Sequence, residues 1–164
     1  MGKINVRYAK REELEAVNRI RKQVNDVHVK GRPDIFREDG WQDIGPHIYT
    51  RFDEDNSGVI VATKENEIVG FATVQYIDKP ESVYNRERKF YRIEEFGVDE
   101  NHRRKGIATA LVDFTKEDAK ERGYDKIELD MWEFNAGALA FYESVGFKTY
   151  RRYMESSVEK MKNE

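Results

Sequence analysis

The sequence predicts an α/β (α+β) fold: a mixed, mostly antiparallel central sheet of about six or seven strands, flanked by helices. Three observations predict it. Stretches of alternating apolar residues recur along the chain, segments with a 3.6-residue apolar period separate them, and residues 90–132 read strand, helix, strand. That last unit is of βαβ type, whose crossover is right-handed when its strands are parallel neighbours. At 164 residues, 38% of them hydrophobic, the chain is long and apolar enough for one domain, 1–164.

The elements follow in order. INVRYA (4–9) alternates and predicts a short strand. In residues 11–29, Leu14, Val17, Ile20, Val24 and Val27 recur at helical spacing, and Pro33 stops the helix by disfavouring helical dihedrals at Arg32. Residues 41–54 predict an irregular helix interrupted at Gly45-Pro46. Residues 57–77 read as a hairpin with its turn at KENE, followed by a polar loop at 78–89 and a strand at 90–98. Residues 105–123 carry Ile107, Leu111, Phe114 and Ala119 on one helical stripe, closed by Gly123. A strand at 125–132, a helix at 136–146 capped by Asn135, and a last strand at 147–154 complete the order.

Composition narrows the function. Charged residues are 37% of the chain, yet the net charge is −3, so nucleic acid and anionic membranes are not expected partners. There is no cysteine, which excludes disulfides, zinc thiolates and a cysteine nucleophile. His28, His47 and His102 show no metal-ligand spacing, so no metal is expected. No apolar run suggests a signal peptide or a membrane span, and the expected location is cytoplasmic.

The distinctive stretch is NHRRKGIATALVDF, residues 101–114. Arg103, Arg104 and Lys105 stand immediately before a helix whose N-terminus is already electropositive. Cations there are unfavourable unless an anion offsets them, and Gly106 with Ala108 lets a ligand approach the backbone N–H groups. The spacing is neither that of a P-loop nor that of a dinucleotide-binding Rossmann turn.

With EEFGVDENHRRKGIATAL followed by WEFNAGALAFYESVGF, the chain resembles the GCN5-related N-acetyltransferase (GNAT) superfamily, most strongly from Phe90 to Tyr153. The resemblance implies the acyl-CoA N-acyltransferase fold, with 1–89 as the acceptor-side half and 90–154 as the acetyl-CoA-binding core. It implies acetyl-CoA as co-substrate, with the amides of Arg104, Lys105, Gly106, Ile107 and Ala108 around the pyrophosphate beside Arg103. It also implies backbone pairing of Phe96, Gly97 and Val98 with the pantetheine arm, contact from Asn135, Tyr142 as general acid and a strand carboxylate as general base. The acceptor would be an amine of a small molecule, peptide or protein, and since many members are dimers, a homodimer is an expectation. By the same analogy the acceptor pocket would be walled by residues 11–54 and 78–89, which include Asp34, Phe36, Arg37, Trp41, Tyr49, Arg86 and Arg88.

Glu94 and Glu95 are the two candidate bases. Neighbours on a strand face opposite sides of the sheet, so at most one is expected to face the reaction. Glu94, which shares parity with Phe96 and Val98, is the choice. Either could instead pair with Arg92 or Arg151, Tyr142 could be plain core, and an N-cap alone accounts for Asn135. The alternative function is a non-catalytic acyl-CoA sensor, which would keep the backbone cradle and lose the acid and base.

Overall fold

Alternation in the first residues makes β1 (Ile4–Tyr8), an edge strand, and a 3-10 turn at Arg11–Glu13 leads into α1 (Leu14–Gly31). The structure, a computed structural model, describes residues 2–159. Gly45-Pro46 divides the next helical stretch into α2 (Trp41–Ile44) and α3 (His47–Asp53), as expected of a proline that cannot donate. β2 (Ser57–Lys64) and β3 (Glu67–Lys79) form the expected hairpin. Its two-residue turn holds Glu65 and Asn66 at φ of 51° and 65°, the left-handed pair that a primed turn requires. β4 (Arg88–Val98), α4 (Ile107–Glu121), β5 (Ile127–Glu128) and α5 (Ala136–Ser144) complete the order.

Among the described residues the sheet has five strands in the order β1-β2-β3-β4-β5, antiparallel except for the parallel pair β4/β5. This corrects four sequence expectations. The sheet is smaller than six or seven strands. The strand expected at 125–132 pairs with β4 through Ile127 and Glu128 alone. The stretch expected as a strand at 147–154 joins no ladder, because β5 is too short to offer it an edge. Side chains hold it instead: the Tyr150 hydroxyl donates to Glu128, and Arg32 lies 2.9 Å from Glu155. The polar loop expected at 78–89 is also shorter, since β3 and β4 continue their pairing out to Lys79↔Arg88.

One face of the sheet packs Val59, Val61 and Phe71 against Leu14, Val17 and Ile20 of α1 and Ile48 of α3. The other packs Ile60, Ala62, Val69 and Ala72 against Ile107, Leu111 and Ala119 of α4. Val27, counted in the apolar stripe of α1, is 39% exposed, so burial covers only the first turns of that helix. Gly97 is explained by packing: a Cβ there would lie 2.7 Å from Val24 and 2.9 Å from Phe71.

A polar cluster ties the C-terminal end of α4 to the sheet. Asp118 accepts from the Tyr8 hydroxyl, from the Tyr91 hydroxyl at 2.8 Å and from Arg122 Nε at 3.1 Å. Burial, with these bonds, pushes the Tyr8 and Tyr91 hydroxyls far above the usual tyrosine range, so both stay neutral donors. Asp118→Ala leaves these donors without their shared acceptor and is expected to cost about 3 kcal/mol, read as a lowered midpoint in urea at unchanged m-value.

Candidate active site

The site is built where β4 runs into α4. Asp99, 1% exposed, ends the strand. Its carboxylate accepts from Gln23 Nε2 at 3.0 Å, lies 2.9 Å from His102 Nδ1 and sits 3.3 Å from Arg19. Burial opposes its charge, but Gln23, His102 and Arg19 together hold its carboxyl below the usual range. Glu67 comes within 4.8 Å of this pair. These contacts fasten the turn to α1 and β3, so the loop beyond it starts from a fixed point.

In that loop Arg104 is left-handed at φ 62° and Gly106 at φ 81°. The first helical bond runs from Ala110 N to Gly106 O at 3.0 Å. The amides of Ile107, Ala108 and Thr109 therefore have no intrahelical acceptor, and Gly106 at the N-cap brings no side chain to serve them. Arg103, Arg104 and Lys105 are exposed around them. A Cβ on Gly106 would meet no atom of the described residues within 4 Å, so nothing in the fold fills the space beside the first turn of α4 at that position. Unpaired donors, a helix N-terminus and three cations make a cradle that fits a diphosphate.

The adjoining strand edge is free. β4 meets β5 only at Tyr91 and Arg92. Asp99 N donates to Val69 O at 2.8 Å and Glu95 N to Thr73 Oγ1 at 3.0 Å, both toward β3. By alternation the backbone groups of Phe96 and Val98 turn the other way, to the unpaired edge. α5 stands beside it: Phe96 packs against Phe141 at 6.1 Å and edge-on to Tyr142 at 5.9 Å. Asn135 caps α5, its Oδ1 accepting from Ala138 N at 3.1 Å, which leaves its amide NH2 free of that role. The Tyr142 hydroxyl has no hydrogen-bond partner among the described residues, and burial pushes it up to about 12.

The two glutamates overturn the parity argument. Thr73 stands opposite Glu95 while the next residue, Val74, stands opposite Ile93, so Glu94 is the extra residue of a β-bulge. A bulge resets the alternation, and both carboxylates face α1 and α3, on the side opposite to Phe96. Their partners are neither Arg92, which pairs with Asp130 at 3.1 Å, nor Arg151. Glu94 lies 2.7 Å from Arg51 Nε and accepts from Arg51 Nη2 at 2.8 Å; its Oε2 is buried and lacks an aligned donor among the described residues. Glu95 accepts from Arg21 Nε at 2.7 Å and Nη2 at 3.0 Å. The Glu95 side chain is 37% exposed against 25% for Glu94, so its remaining lone pairs are the more accessible.

Sequence reasoning passed over Arg21 and Arg51. Arg21 carried a signal: it follows Val17 by four residues on the apolar stripe, and it is 5% exposed. Its Nη1 donates to Asn18 and to the carbonyls of Ile44 and Gly45, and Trp41 lies 5.5 Å from its guanidinium. Arg51 had no local signal. Also unforeseen is an aromatic cluster bridging the two halves. His28 stacks on Phe36 at 5.3 Å, Phe36 meets Trp132 edge-on at 5.2 Å, and Phe134 lies 6.3 Å from His28. Burial holds His28 below the usual histidine range, with the Glu95 charge opposing, so the ring is neutral at neutral pH. Of the residues expected to wall an acceptor pocket, Phe36 and Trp41 lie on this side. Asp34 and Arg37 pair with Arg32 and Asp39, Tyr49 donates to Glu15, and Arg88 pairs with Glu128 at the far end of β4.

The family model "Acetyltransferase (GNAT) family" matches residues 20–147, the span that holds cradle, free edge, bulge and α5. The chain belongs to the GNAT acetyltransferase family. It is 38% identical to human N-acetyltransferase 8 over 88 residues, 54% of this chain and 37% of that protein. It is 30% identical to streptothricin acetyltransferase of Streptomyces lavendulae over 113 residues, 69% of this chain and 55% of that one. The chain thus spans less than two thirds of the curated relatives it matches. Among solved structures, a mutant of the BH1408 protein of Bacillus halodurans superposes with a TM-score of 0.89 at 29% identity, covering 94% of this chain and 99% of that one. An aminoglycoside N-acetyltransferase in complex with CoA shares the fold, with a TM-score of 0.71 at 18% identity over 96% of this chain and 95% of that one. No described helix is long and apolar enough to cross a membrane.

Proposed function

We propose that this GNAT domain catalyses transfer of the acetyl group of acetyl-CoA to a primary amine of a small molecule, peptide or protein by direct attack. The observation that carries the reading is the bulge at Glu94. It puts two carboxylates on one face of β4, next to a strand edge whose backbone is unpaired and a tyrosine kept protonated on the other face. Acetyl-CoA supplies an activated thioester, whose C–S bond breaks as the N–C bond of the amide product forms.

The chain's own groups divide the remaining work. The amides from Arg104 to Ala108, with Arg103 and Lys105, hold the diphosphate by charge and by hydrogen bonds. The backbone of Phe96 and Val98 holds the pantetheine arm as an added strand, and the free amide of Asn135 assists. Gly97 contributes through α1, whose close approach it permits. Glu95 takes the proton of the attacking amine, directly or through a water, because its carboxylate is the more accessible of the pair. Glu94, clamped by Arg51, adds negative charge that draws the amine in as its ammonium form. Tyr142 returns a proton to the departing sulfur, which its elevated pKa and unpartnered hydroxyl permit.

Thermal unfolding with acetyl-CoA, beside ATP and NAD as controls, tests the binding half: ligand at 100 times its dissociation constant adds about 2.7 kcal/mol. Thiol release over an amine panel tests the transfer. A shift with acetyl-CoA alone, and release with an amine, is expected. Binding without release under any amine would leave a sensor, and no shift at millimolar acetyl-CoA would sink the reading.

A further inference from the structure

Arg21 is buried, and each of its three guanidinium nitrogens is engaged. Nε and Nη2 donate to the two oxygens of Glu95 at 2.7 and 3.0 Å. Nη1 faces α2 and donates to Asn18 Oδ1 at 2.8 Å, to the Gly45 carbonyl at 3.1 Å and to the Ile44 carbonyl at 3.3 Å. Asn18 Nδ2 donates to the same Gly45 carbonyl at 3.1 Å. The break at Gly45-Pro46 is what offers these carbonyls. Ile48 N donates to Gly45 O at 3.5 Å and Tyr49 N to Pro46 O at 3.1 Å, three residues back rather than four, so the Ile44 carbonyl takes its donor from Arg21.

Glu95 needs such a hold. The bulge interrupts the ladder beside it, and Glu95 N donates to the Thr73 hydroxyl instead of to a β3 carbonyl. Its carboxylate stands at the end of a flexible, partly exposed side chain, so the strand by itself leaves its direction open. A bidentate arginine fixes the plane of a carboxylate as well as its distance, which a lysine, a point charge, does not. With both oxygens held on the Arg21 side, the remaining lone pairs are confined to the side away from the guanidinium. The guanidinium in turn is held by α1 and by the end of α2, not by β4.

We propose that Arg21 is a positioning residue for acetyl transfer: it ties the Glu95 carboxylate to the end of α2, so that the helix break at Gly45-Pro46 sets where the proton-accepting oxygen stands. Trp41, the first residue of α2, is the second member of this link, since its ring lies 5.5 Å from the Arg21 guanidinium and backs it. This assignment rests on the acetyl-transfer reading with Glu95 as base, and it extends that reading by giving α2 a part in the proton transfer. An ion pair that only held the fold together would matter equally whether or not residue 95 can accept a proton. A link that places the base matters only while the base is there.

The test is a double-mutant cycle on the full chain. Thiol release is read with phenylalaninamide, phenethylamine, glycinamide and spermine, and the cycle is run with whichever turns over fastest. kcat, KM for acetyl-CoA and the acetyl-CoA thermal shift are measured for Arg21→Lys, Trp41→Leu and Glu95→Gln, and for the two doubles that carry Glu95→Gln. Arg21→Lys is expected to lower kcat about tenfold or more, with KM for acetyl-CoA and the thermal shift unchanged, because a displaced base costs rate rather than cofactor binding. Trp41→Leu is expected to lower kcat about threefold by loosening the same guanidinium. Added to Glu95→Gln, either substitution should lower kcat by no more than about twofold further, since no carboxylate is left to place. If Arg21→Lys does not fold, the Trp41→Leu cycle gives the same reading. Wild-type kcat in both single variants, equal losses with and without Glu95→Gln, or a loss carried by KM for acetyl-CoA would overturn the inference and leave the acetyl-transfer reading standing. Wild-type kcat in Glu95→Gln, or no thiol release with any of the four amines, would instead remove the base itself, and the role of Arg21 with it.

Discussion

Glu95→Gln is expected to lower kcat about a hundredfold or more, the usual weight of a positioned general base, with little change in the thermal shift produced by acetyl-CoA. Glu94→Gln is expected to act chiefly on KM for the amine, because its charge is clamped by Arg51 and one of its oxygens is buried. The two substitutions are nearly isosteric, so the comparison isolates the proton acceptor from the bulge that positions it. Tyr142 adds a pH signature. Its hydroxyl is pushed up to about 12, so it remains a proton donor at every pH below that value, and kcat should not fall between pH 8 and 10 on its account. Tyr142→Phe should lower kcat at all of these pH values alike. Glu95→Gln with wild-type turnover, or a collapse in Glu94→Gln alone, would transfer the base role to Glu94.

Gly106→Val is expected to weaken acetyl-CoA binding about a hundredfold, since its side chain would stand in the unfilled space beside the N-terminus of α4, where the diphosphate is proposed to approach the backbone. The substitution also strains the backbone, because φ is 81° there and left-handed dihedrals cost a residue with a Cβ about 1–2 kcal/mol. Gly123 provides the matched control. It too is left-handed, at φ 84°, and a Cβ there would also meet nothing within 4 Å, but it stands at the other end of α4. Gly123→Val should lower the unfolding midpoint to a similar extent and preserve the acetyl-CoA shift. Equal ligand shifts in the two variants would mean that the cradle does not hold the diphosphate.

The sites of these two predictions were not equally visible in the sequence. The Gly106 cradle was legible because its causes are local: a basic turn, a glycine where a helix must begin, and an amphipathic period after it. The cap at Asn135, the primed turn at Glu65-Asn66 and the break at Gly45-Pro46 are legible for the same reason, being decided within a few residues of backbone. The Glu94–Glu95 pair was visible as residues and wrong as geometry. Period-two alternation holds along an unbroken ladder, and a bulge becomes apparent only when β3 is laid beside β4.

By itself, then, the sequence determined the order and type of most elements, the family, and the helix start that offers its amides to an anion. Tertiary structure alone decided that β5 is two residues long, which cost the sheet its last strand and left the edge at Phe96 and Val98 unpaired. It also decided that both glutamates share a face and that Arg21 and Arg51 hold them. Each of these depends on residues far apart in the chain, whose meeting is set by how helices pack across the sheet, and no local period or cap encodes that.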